Sequence, residues 1–556
     1  MKTKLLCLVL ALLMLLPAFV ACGSGSEVDI NSNVDTTRTP VTLNMWVVTE
    51  EETTVEAQKA VEAAFNDITE TSYTTHVNLI FCKESEYKAI LDERFAYADT
   101  RFSDPDFKTF KPDKKIETVI DDEGMKVLKY PEANKYQMDI VLILGKEMLE
   151  EYVGDGRLNV LNEQLNGTYK TIRTYVYNDL LNNAAIGGNI YAVPNNNVIG
   201  NYTYLLVNKK MADKYYFSPS DFTAFGATNA KGEKLPVAKL IDAIVENEDL
   251  TKIAPLYGMA EYPLAKYWSN DGSASILATL YADASSQVGT SVTVTNLFDE
   301  KNADYRSFMK EMIYCKENGY LMDGQETFGV AVMEGDYAMT REYADEYYIS
   351  VLDYPRVDDA DIFDSMFAVT NYTADLSRSM EIINALTCKS ELRNILQYGV
   401  EGVHYTLNDD GAVVRKNNDY MMNINYTGNV LMAYPEEGMD LNIWRDVILQ
   451  NQQALLAVTT GSNDYMSRVD KQAMAEMLSV SDAYFGRLST CETIAEFEAY
   501  LDAATAEIKA SSYYAKLTSI EMVEEGGQKI HNPTSLYGAL FNWWRTNFDP
   551  SFNVAG

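Results

Sequence analysis

Hydrophobic and polar positions along the chain alternate between the period of a strand and that of a helix. Residues 41–48 form a nearly continuous apolar run of strand length, whereas residues 55–68 repeat hydrophobic side chains at helical spacing. The same reasoning predicts strands over residues 77–81 and 139–144, and helices over residues 86–96 and 146–153, the last ending at Gly154. This alternation predicts an α/β fold.

A polar stretch interrupts the alternation over residues 101–131. Inside it, residues 116–119 and 127–130 are short segments rich in apolar residues, on either side of Asp-Asp-Glu-Gly at 121–124. Two such segments around a turn sequence predict a β-hairpin.

The N-terminus follows a different pattern, with Lys2 and Lys4 ahead of an apolar stretch over residues 5–20. Such a stretch is too short for a stable membrane span and is typical of a secretory signal peptide. Phe19-Val-Ala-Cys22 resembles a bacterial lipobox, which implies cleavage after residue 21 and lipid attachment at Cys22. Ordinary secretion with cleavage nearby is the alternative. The polar composition of residues 22–40 predicts a flexible tether. We therefore expect a lipid-anchored protein on the extracellular face of the cell membrane.

The composition describes the body that follows this leader. About 530 residues remain, enough for two lobes with large cores. The chain has 46 basic and 81 acidic residues, a net charge of −35, which argues against binding nucleic acid or an anionic membrane through a basic face. The charge favours a neutral or cationic ligand, although solubility outside the cell explains it equally well.

The cysteines of the body argue against a metal site. Cys82, Cys315, Cys388 and Cys491 are far apart and form no CxxC pair, so we expect neither zinc nor another cofactor. Whether two of them form a disulfide is left open by the sequence. We expect mostly free, buried thiols.

Several segments occur in the order seen in a known family. Residues 156–165 (GRLNVLNEQL), 187–194 (GGNIYAVP) and 202–213 (YTYLLVNKKMAD) come first, and residues 328–339 (FGVAVMEGDYAM), 396–405 (LQYGVEGVHY) and 429–435 (NVLMAYP) follow. Together they resemble the extracellular solute-binding proteins of ABC sugar importers, family 1 type. The segment YGVEGVHY is similar to the YGxEGxHY segment of a Firmicutes lipoprotein sub-group of these proteins.

This resemblance implies a two-lobed type II periplasmic-binding-protein fold with a hinge and an interlobe cleft. Lobe I then comprises residues 41–194 and 366–430, and lobe II comprises residues 195–365 and 431–556 with the C-terminal helices. Residues 328–339 are expected to form a strand, a turn and a strand, and residues 367–370 to cross between lobes before a helix over 377–387. The implied function is that of a monomer that captures a carbohydrate, expected to be an oligosaccharide, and delivers it to the permease subunits of an ABC transporter.

Ligand-binding candidates follow from position in the chain. A sugar site needs aromatic platforms and hydrogen-bonding groups, and the crevice of an open α/β sheet lies outside the carboxyl ends of its strands. Trp46 and Glu51 come at and after the end of the first strand, although a core tryptophan and a solvated acidic helix start explain them too. Asn195 and Asn196 follow Pro194, where the chain is implied to change lobes, and Tyr202 lies nearby.

Three further candidates come later in the chain. Trp268 stands in a polar, loop-like setting, where an exposed tryptophan favours a partner. Tyr337 and Arg341 belong to the turn sequence GDYAMTR. The remaining tryptophans, Trp444, Trp543 and Trp544, are expected to be packing residues.

An enzyme is the alternative class. The three histidines, His76, His404 and His531, are widely separated, and the chain has no HExxH, GxSxG or GxxxxGK[ST] motif. A cell-surface glycoside hydrolase with paired carboxylates stays open as an alternative, because 81 acidic residues always offer pairs. A surface adhesin would be expected to show repeats of fixed period, and none is visible. We therefore expect a binding protein without catalytic residues.

Overall fold

The computed structural model describes residues 38–50, 53–100, 118–120, 126–128, 137–258, 279–281, 293–295, 303–456, 465 and 467–548. Three of the candidate site residues, Cys22, Glu51 and Trp268, lie outside the described residues, as does the predicted leader over 1–21.

The strands are, in chain order, β1 (Val41–Thr49), β2 (Thr75–Lys83), β3 (Thr118–Ile120), β4 (Lys126–Leu128), β5 (Ile140–Ile143), β6 (Ala192–Pro194), β7 (Tyr202–Asn208), β8 (Ile253–Gly258), β9 (Thr279–Tyr281), β10 (Thr293–Thr295), β11 (Thr327–Gly335), β12 (Tyr347–Asp353), β13 (Arg356–Val357), β14 (Met366–Val369), β15 (Tyr405–Leu407), β16 (Val413–Arg415), β17 (Leu455–Leu456), β18 (Met522–Glu525) and β19 (Gln528–His531).

The α-helices are, in chain order, α1 (Val55–Tyr73), α2 (Glu84–Asp99), α3 (Lys146–Gly154), α4 (Asn162–Asn166), α5 (Ile172–Tyr175), α6 (Asn178–Asn183), α7 (Lys209–Lys214), α8 (Pro236–Asn247), α9 (Ala303–Glu317), α10 (Met339–Glu342), α11 (Asp359–Ile362), α12 (Leu376–Cys388), α13 (Ser390–Tyr398), α14 (Ile443–Gln453), α15 (Lys471–Thr490), α16 (Ile494–Ala510), α17 (Ser512–Leu517) and α18 (Leu536–Phe548).

Five strands form one sheet in the order β2-β1-β5-β14-β6. β1 runs parallel to β2 and to β5, whereas β14 is antiparallel to both β5 and β6. β1 is buried from its second residue to its last, as expected for a central strand that is covered on both faces. Helices α1, α2, α12 and α13 contribute to the same hydrophobic core. We call this sheet and its packed helices lobe I.

Local chemistry sets the ends of α1. The side chain of Thr54 accepts a hydrogen bond from the Ala57 amide at 3.2 Å, which caps the helix N-terminus. Thr74 adopts a left-handed conformation with φ of 53°, and this reversal leads the chain directly into β2. The helix is therefore five residues longer than the segment predicted over 55–68. Its last turns are held by Asn66, whose buried amide exchanges two hydrogen bonds with the backbone of Val77.

Four strands form a second sheet in the order β12-β7-β11-β8. β7 is antiparallel to β11 and β12, and β8 is parallel to β11. One face of the sheet packs against α8, α9 and the later helices α15, α16 and α18. The other face is rich in aromatic side chains, including Tyr202, Tyr204 and Phe328. We call this sheet and its packed helices lobe II.

Three short segments, which we call the hinge segments, connect the lobes within the described ranges. Residues 195–201 lead from β6 into β7, and residues 354–357 lead from β12 towards β14. Residues 454–456 follow α14, and β17 within them pairs with β13 in parallel register, Arg356 opposite Leu455. The lobes are thus joined by backbone that is itself partly hydrogen-bonded.

The α/β architecture, built around one five-stranded and one four-stranded sheet, agrees with the sequence prediction. The predicted hairpin is confirmed, because β3 and β4 pair antiparallel, with Val119 opposite Val127. The domain boundaries at residues 194, 365 and 430 stay predictions.

The expectation for residues 328–339 is wrong in its second half. β11 ends at Gly335, and a short helix, α10, begins at Met339 in place of a second strand. The Asp336 carboxylate accepts a hydrogen bond from the Ala338 amide at 2.9 Å, which favours a turn that continues as helix.

None of the helices in the described ranges combines the length and apolar character needed to cross a membrane.

Candidate functional site

One edge of the lobe I sheet brings together residues from five separate parts of the chain. β1, β2 and β5 are parallel, so their carboxyl ends share this edge. β14 is antiparallel to β5, with Met366 opposite Ile143, and its beginning therefore lies at the same edge. The end of β6 joins them because Pro194 pairs with Met366. The edge leads directly into the first hinge segment, which places it where the two lobes meet.

Polar groups on this edge form a connected network. The Tyr426 hydroxyl donates to Glu84 Oε1 at 3.1 Å, and burial together with the neighbouring Glu84 carboxylate raises the pKa of Tyr426 to about 12. The Ser365 hydroxyl and the Asn195 amide both donate to the carbonyl oxygen of Asn425, at 2.5 Å and 2.9 Å. This network fixes the loop around Asn425 against the sheet edge.

Asp364 carries an unsatisfied acceptor at this edge. Its Oδ2 atom is buried and has no hydrogen-bond partner among the described residues. Burial raises the pKa of the Asp364 carboxyl, and a hydrogen bond with Asn425 opposes that rise. A buried carboxylate oxygen without a donor is costly unless a bound group supplies one. Asp364 is therefore poised to accept a hydrogen bond from a ligand.

A cavity of about 680 Å³ lies beside Asp364. It is bordered by Gly145 and Lys146 at the end of β5, by Asp359 and Phe363 around α11, and by Ser467. The Lys146 ammonium lies 3.4 Å from an oxygen of Asp359 and 5.4 Å from the centre of the Phe363 ring. The cavity thus offers a cation, carboxylates and an aromatic ring within one space, which is the mixture that recognises a polar organic ligand.

The edge of lobe II that adjoins the first hinge segment is aromatic. Tyr202 at the start of β7 pairs with Gly335 at the end of β11, which brings the following Tyr337 to the same edge. The Tyr202 ring lies 6.5 Å from that of Tyr337 and 5.9 Å from that of Tyr354. Tyr337 and Tyr354 are half-buried, whereas Tyr202 is 1% exposed. The two half-buried rings are the ones available to a ligand in this conformation.

Helix α14 contacts the first hinge segment through two buried side-chain amides, which form hydrogen bonds with the hinge backbone. Asn451 Oδ1 accepts from the Ile199 amide at 3.2 Å, and Asn451 Nδ2 donates to the Asn197 carbonyl at 2.8 Å. Gln450 Nε2 donates to the carbonyls of Ile199 and Gly200, at 2.9 Å and 2.6 Å. Gln450 Oε1 also accepts from the Tyr337 amide at 3.0 Å, so this helix connects the hinge to the aromatic edge of lobe II.

Trp46 lies in the core of lobe I in this conformation. It is 2% exposed within β1, opposite Ile80 of β2. Its indole Nε1 is buried without a hydrogen-bond partner among the described residues. The ring offers no surface to a ligand here, so its role as a sugar platform stays a prediction that this conformation does not display.

The side chains of the asparagines that follow Pro194 form hydrogen bonds mainly within the protein. Asn195 Nδ2 donates to Ser365 Oγ at 3.2 Å in addition to Asn425. Asn196 is fully buried and bonds to the Tyr175 carbonyl, Asn429 Oδ1 and the Tyr177 amide. These two residues join the hinge to lobe I, and contact with a ligand stays a prediction for both.

Arg341 lies at the surface and pairs with two acids near the start of α14. Its guanidinium lies 3.1 Å from Asp440 and also contacts Asp446. Tyr202 stacks on Tyr204 at 5.0 Å between ring centres and donates from its hydroxyl to Gln453 Oε1 at 3.2 Å. Burial raises the Tyr202 pKa. Of the described candidates, Tyr337 alone combines a place on the interlobe edge with a partly exposed ring, and its contact with ligand is likewise untested.

Sequence reasoning missed Lys146 and Asp364. Lys146 carried a usable signal, because it comes two residues after the predicted strand over 139–144 and so lies near its carboxyl end. Asp364 precedes its strand, and it reaches the edge only because β14 runs antiparallel to β5. No local pattern in the sequence shows that direction.

Solved structures similar to this one are solute-binding proteins. An N-glycan transport solute binding protein from Streptococcus pneumoniae is 14% identical, with 86% of this chain and 96% of that chain covered and a TM-score of 0.48. An extracellular solute-binding protein family 1 from Alicyclobacillus acidocaldarius is 11% identical, with coverage of 85% and 99% and a TM-score of 0.41. An HMO binding ABC-transporter associated solute binding protein from Bifidobacterium longum infantis is 11% identical, with coverage of 86% and 98% and a TM-score of 0.39. Neither a protein-family model nor a curated protein matches the chain.

Proposed function

We propose that the protein is an extracellular substrate-binding protein that captures a carbohydrate, an oligosaccharide, between its two lobes for import by an ABC transporter. The observation that supports this most directly is the meeting of two sheet edges at a hinge of three short segments. One edge is polar and the other aromatic, and the hinge allows them to close on a ligand.

The chemistry of the two edges suits a sugar. A sugar presents hydroxyl groups, which donate and accept hydrogen bonds, and C–H faces, which pack on aromatic rings. Asp364 supplies a buried acceptor without a donor, Lys146 supplies a donor, and Tyr337 and Tyr354 supply rings on the facing edge. A cavity of about 680 Å³ is within the range of small-molecule sites.

We further propose that Cys22 carries a lipid, that residues 22–40 tether the protein to the outer face of the membrane, and that the permease subunits are its partners. The basis is the leader sequence, which lies outside the described residues. Replacing Cys22 with Ala is expected to release the protein from the membrane fraction or block its processing. Unchanged membrane retention of the C22A variant would contradict lipidation.

Ligand capture without chemistry is part of the proposal. The mature protein is to be screened by thermal shift against mono- and oligosaccharides, because a ligand that binds only the folded state raises the midpoint of unfolding. A bound sugar recovered unchanged after long incubation supports a binding protein. Turnover that a single carboxylate substitution abolishes would instead identify a glycoside hydrolase.

The cleft itself is tested by replacing Asp364 with Asn. Loss of the charged acceptor is expected to weaken sugar binding about tenfold or more, because hydrogen bonds to charged groups contribute about 1.5–3 kcal/mol. Asp67→Asn is the matched control, since Asp67 is exposed on α1 away from this edge. Equal affinity of the D364N and D67N variants would remove Asp364 from the site.

A further inference from the structure

A second cavity, of about 570 Å³, lies in lobe II away from the interlobe cleft. Four aromatic rings border it, those of Tyr257, Phe328, Tyr343 and Tyr347. Tyr347 begins β12 and pairs with Asn208, the last residue of β7, whereas the hinge lies at the first residue of β7. Seven strand residues separate the two ends by about 20 Å. The cavity is therefore distinct from the site proposed for the sugar.

The rings form a continuous wall. Phe328 stacks between Tyr347 and Tyr257, with ring centres 4.4 Å and 5.4 Å apart and planes inclined by 23° and 13°. Tyr343 completes the group, 6.4 Å from Phe328 and 5.9 Å from Tyr347. Tyr257, Phe328 and Tyr343 are only half-buried. Aromatic surface thus remains open to the cavity on one side of a sheet that is otherwise well packed.

Negative charge surrounds this wall. Five exposed acids border the cavity, namely Asp323, Glu326, Glu342, Asp345 and Glu346, and its described lining contains no Lys, Arg or His. The neighbouring Lys209 is not part of this lining. Its ammonium donates to the Ala344 carbonyl at 2.5 Å and lies 5.5 Å from the centre of the Tyr348 ring.

The lining also includes an acceptor without a donor. Gln325 Oε1 is buried and has no hydrogen-bond partner in the described part of the chain.

We propose that this cavity binds a small organic cation, with its ammonium group against the aromatic wall and the carboxylates around it. Aromatic faces attract cations through the negative potential of the ring face, and carboxylates add a longer-range attraction. A neutral apolar occupant would find the rings but gain nothing from the five acids. An anionic occupant would be repelled by all of them.

The test compares choline with its neutral tert-butyl analogue, in which carbon replaces the nitrogen. Both are titrated calorimetrically into the full-length mature protein at constant ionic strength. The affinity for choline is expected to exceed that for the neutral analogue by about threefold or more. This is the difference that a cation–π contact makes at a partly exposed site. The affinity for choline is also expected to fall as salt is added.

The carboxylates are tested with the double variant E342Q/D345N, which keeps the shape of two exposed side chains and removes their charges. Its matched control is E246Q/E317Q, which removes the same charge from exposed positions on α8 and α9 outside the cavity lining. We expect the first variant to lose about threefold or more in choline affinity while the second keeps wild-type affinity. Sugar binding is expected to be unchanged in both, which separates this site from the cleft.

Three results would overturn the proposal. The first is equal binding of choline and its neutral analogue, or no binding of either. The second is an equal loss of choline affinity in both double variants, which would mean that the net negative charge of the protein and not this cavity attracts the cation. The third is unchanged choline affinity in E342Q/D345N.

Discussion

Glu311 shows what burial does to a single residue in this protein. It lies on α9 and is 2% exposed, and its Oε1 atom is 3.9 Å from Cys315 Sγ. Burial raises its pKa to about 7, and the neighbouring Lys234 only partly opposes that rise. Asp139 in lobe I is equally buried, and burial raises its pKa to about 6, although it accepts hydrogen bonds from the Asn44 and Ala374 amides, among others, which oppose that rise. The donors around Asp139 therefore reduce the effect of burial without cancelling it.

A pH-dependent stability difference is expected for Glu311→Gln. Below the unfolded-state pKa of about 4.5, Glu311 is protonated in both states and the variant resembles wild type. As the pH rises to about 7, the unfolded carboxyl ionises while the folded one is held neutral, so wild type loses stability. At pH 8 the variant is expected to be more stable than wild type by up to about 3 kcal/mol, by urea unfolding. The exposed Glu317→Gln on the same helix is the control, and a stability difference that does not change with pH would contradict the interpretation.

At the scale of elements, the apolar period of the sequence predicts most of lobe I. The strands predicted over 41–48 and 139–144 agree with β1 and β5 to within a residue or two. The helix over 377–387, which the family resemblance implied, extends by one residue at each end. The pattern did not predict α10, because a side-chain hydrogen bond from Asp336 decided between turn and strand. It also did not predict the role of α14. Gln450 and Asn451 look like solvent-facing residues of an amphipathic helix, and only the tertiary structure shows that both are buried against the hinge.

The α14 contact is tested by Asn451→Leu. The substitution leaves the Ile199 amide and the Asn197 carbonyl buried without their partner, and each such group costs about 1–3 kcal/mol. We therefore expect a loss of about 2–4 kcal/mol in the free energy of unfolding, measured in urea. Gln452→Leu on the same helix is the matched control, because Gln452 is exposed. Equal stability of the two variants would show that α14 does not hold the hinge.

At the scale of the whole molecule, the site depends on topology that no local segment contains. Asn195 and Tyr202 were placed near the lobe crossing by the resemblance alone, but their hydrogen bonds to Asn425 and Gln453 join residues more than two hundred positions apart. Sequence position predicts which residues reach the crossing. Whether their side chains face a ligand or the protein depends on those distant partners. In this conformation, most hinge candidates form hydrogen bonds with other residues of the protein.

Closure of the two lobes on a sugar is the whole-molecule prediction. Bending at the three hinge segments brings the polar and aromatic edges together, so the radius of gyration is expected to decrease when a ligand from the thermal-shift screen is added. Small-angle X-ray scattering measures this change. At a sugar concentration near the wild-type Kd, the D364N variant is expected to remain close to the ligand-free value. A ligand that binds without altering the scattering curve would argue for a rigid molecule.

The position of β14 has a consequence for biosynthesis. This strand lies between β5 and β6, although the chain completes β5 at Ile143 and β6 at Pro194 and reaches β14 only at Met366. As the polypeptide emerges N-terminus first, both older strands keep an unpaired edge while the whole of β7 to β12 is still being made. Unpaired edges recruit foreign strands, and pairing across such a sequence separation is slow. The half-made protein is thus most vulnerable to aggregation in lobe I, and a fragment that ends before residue 366 leaves that sheet permanently open.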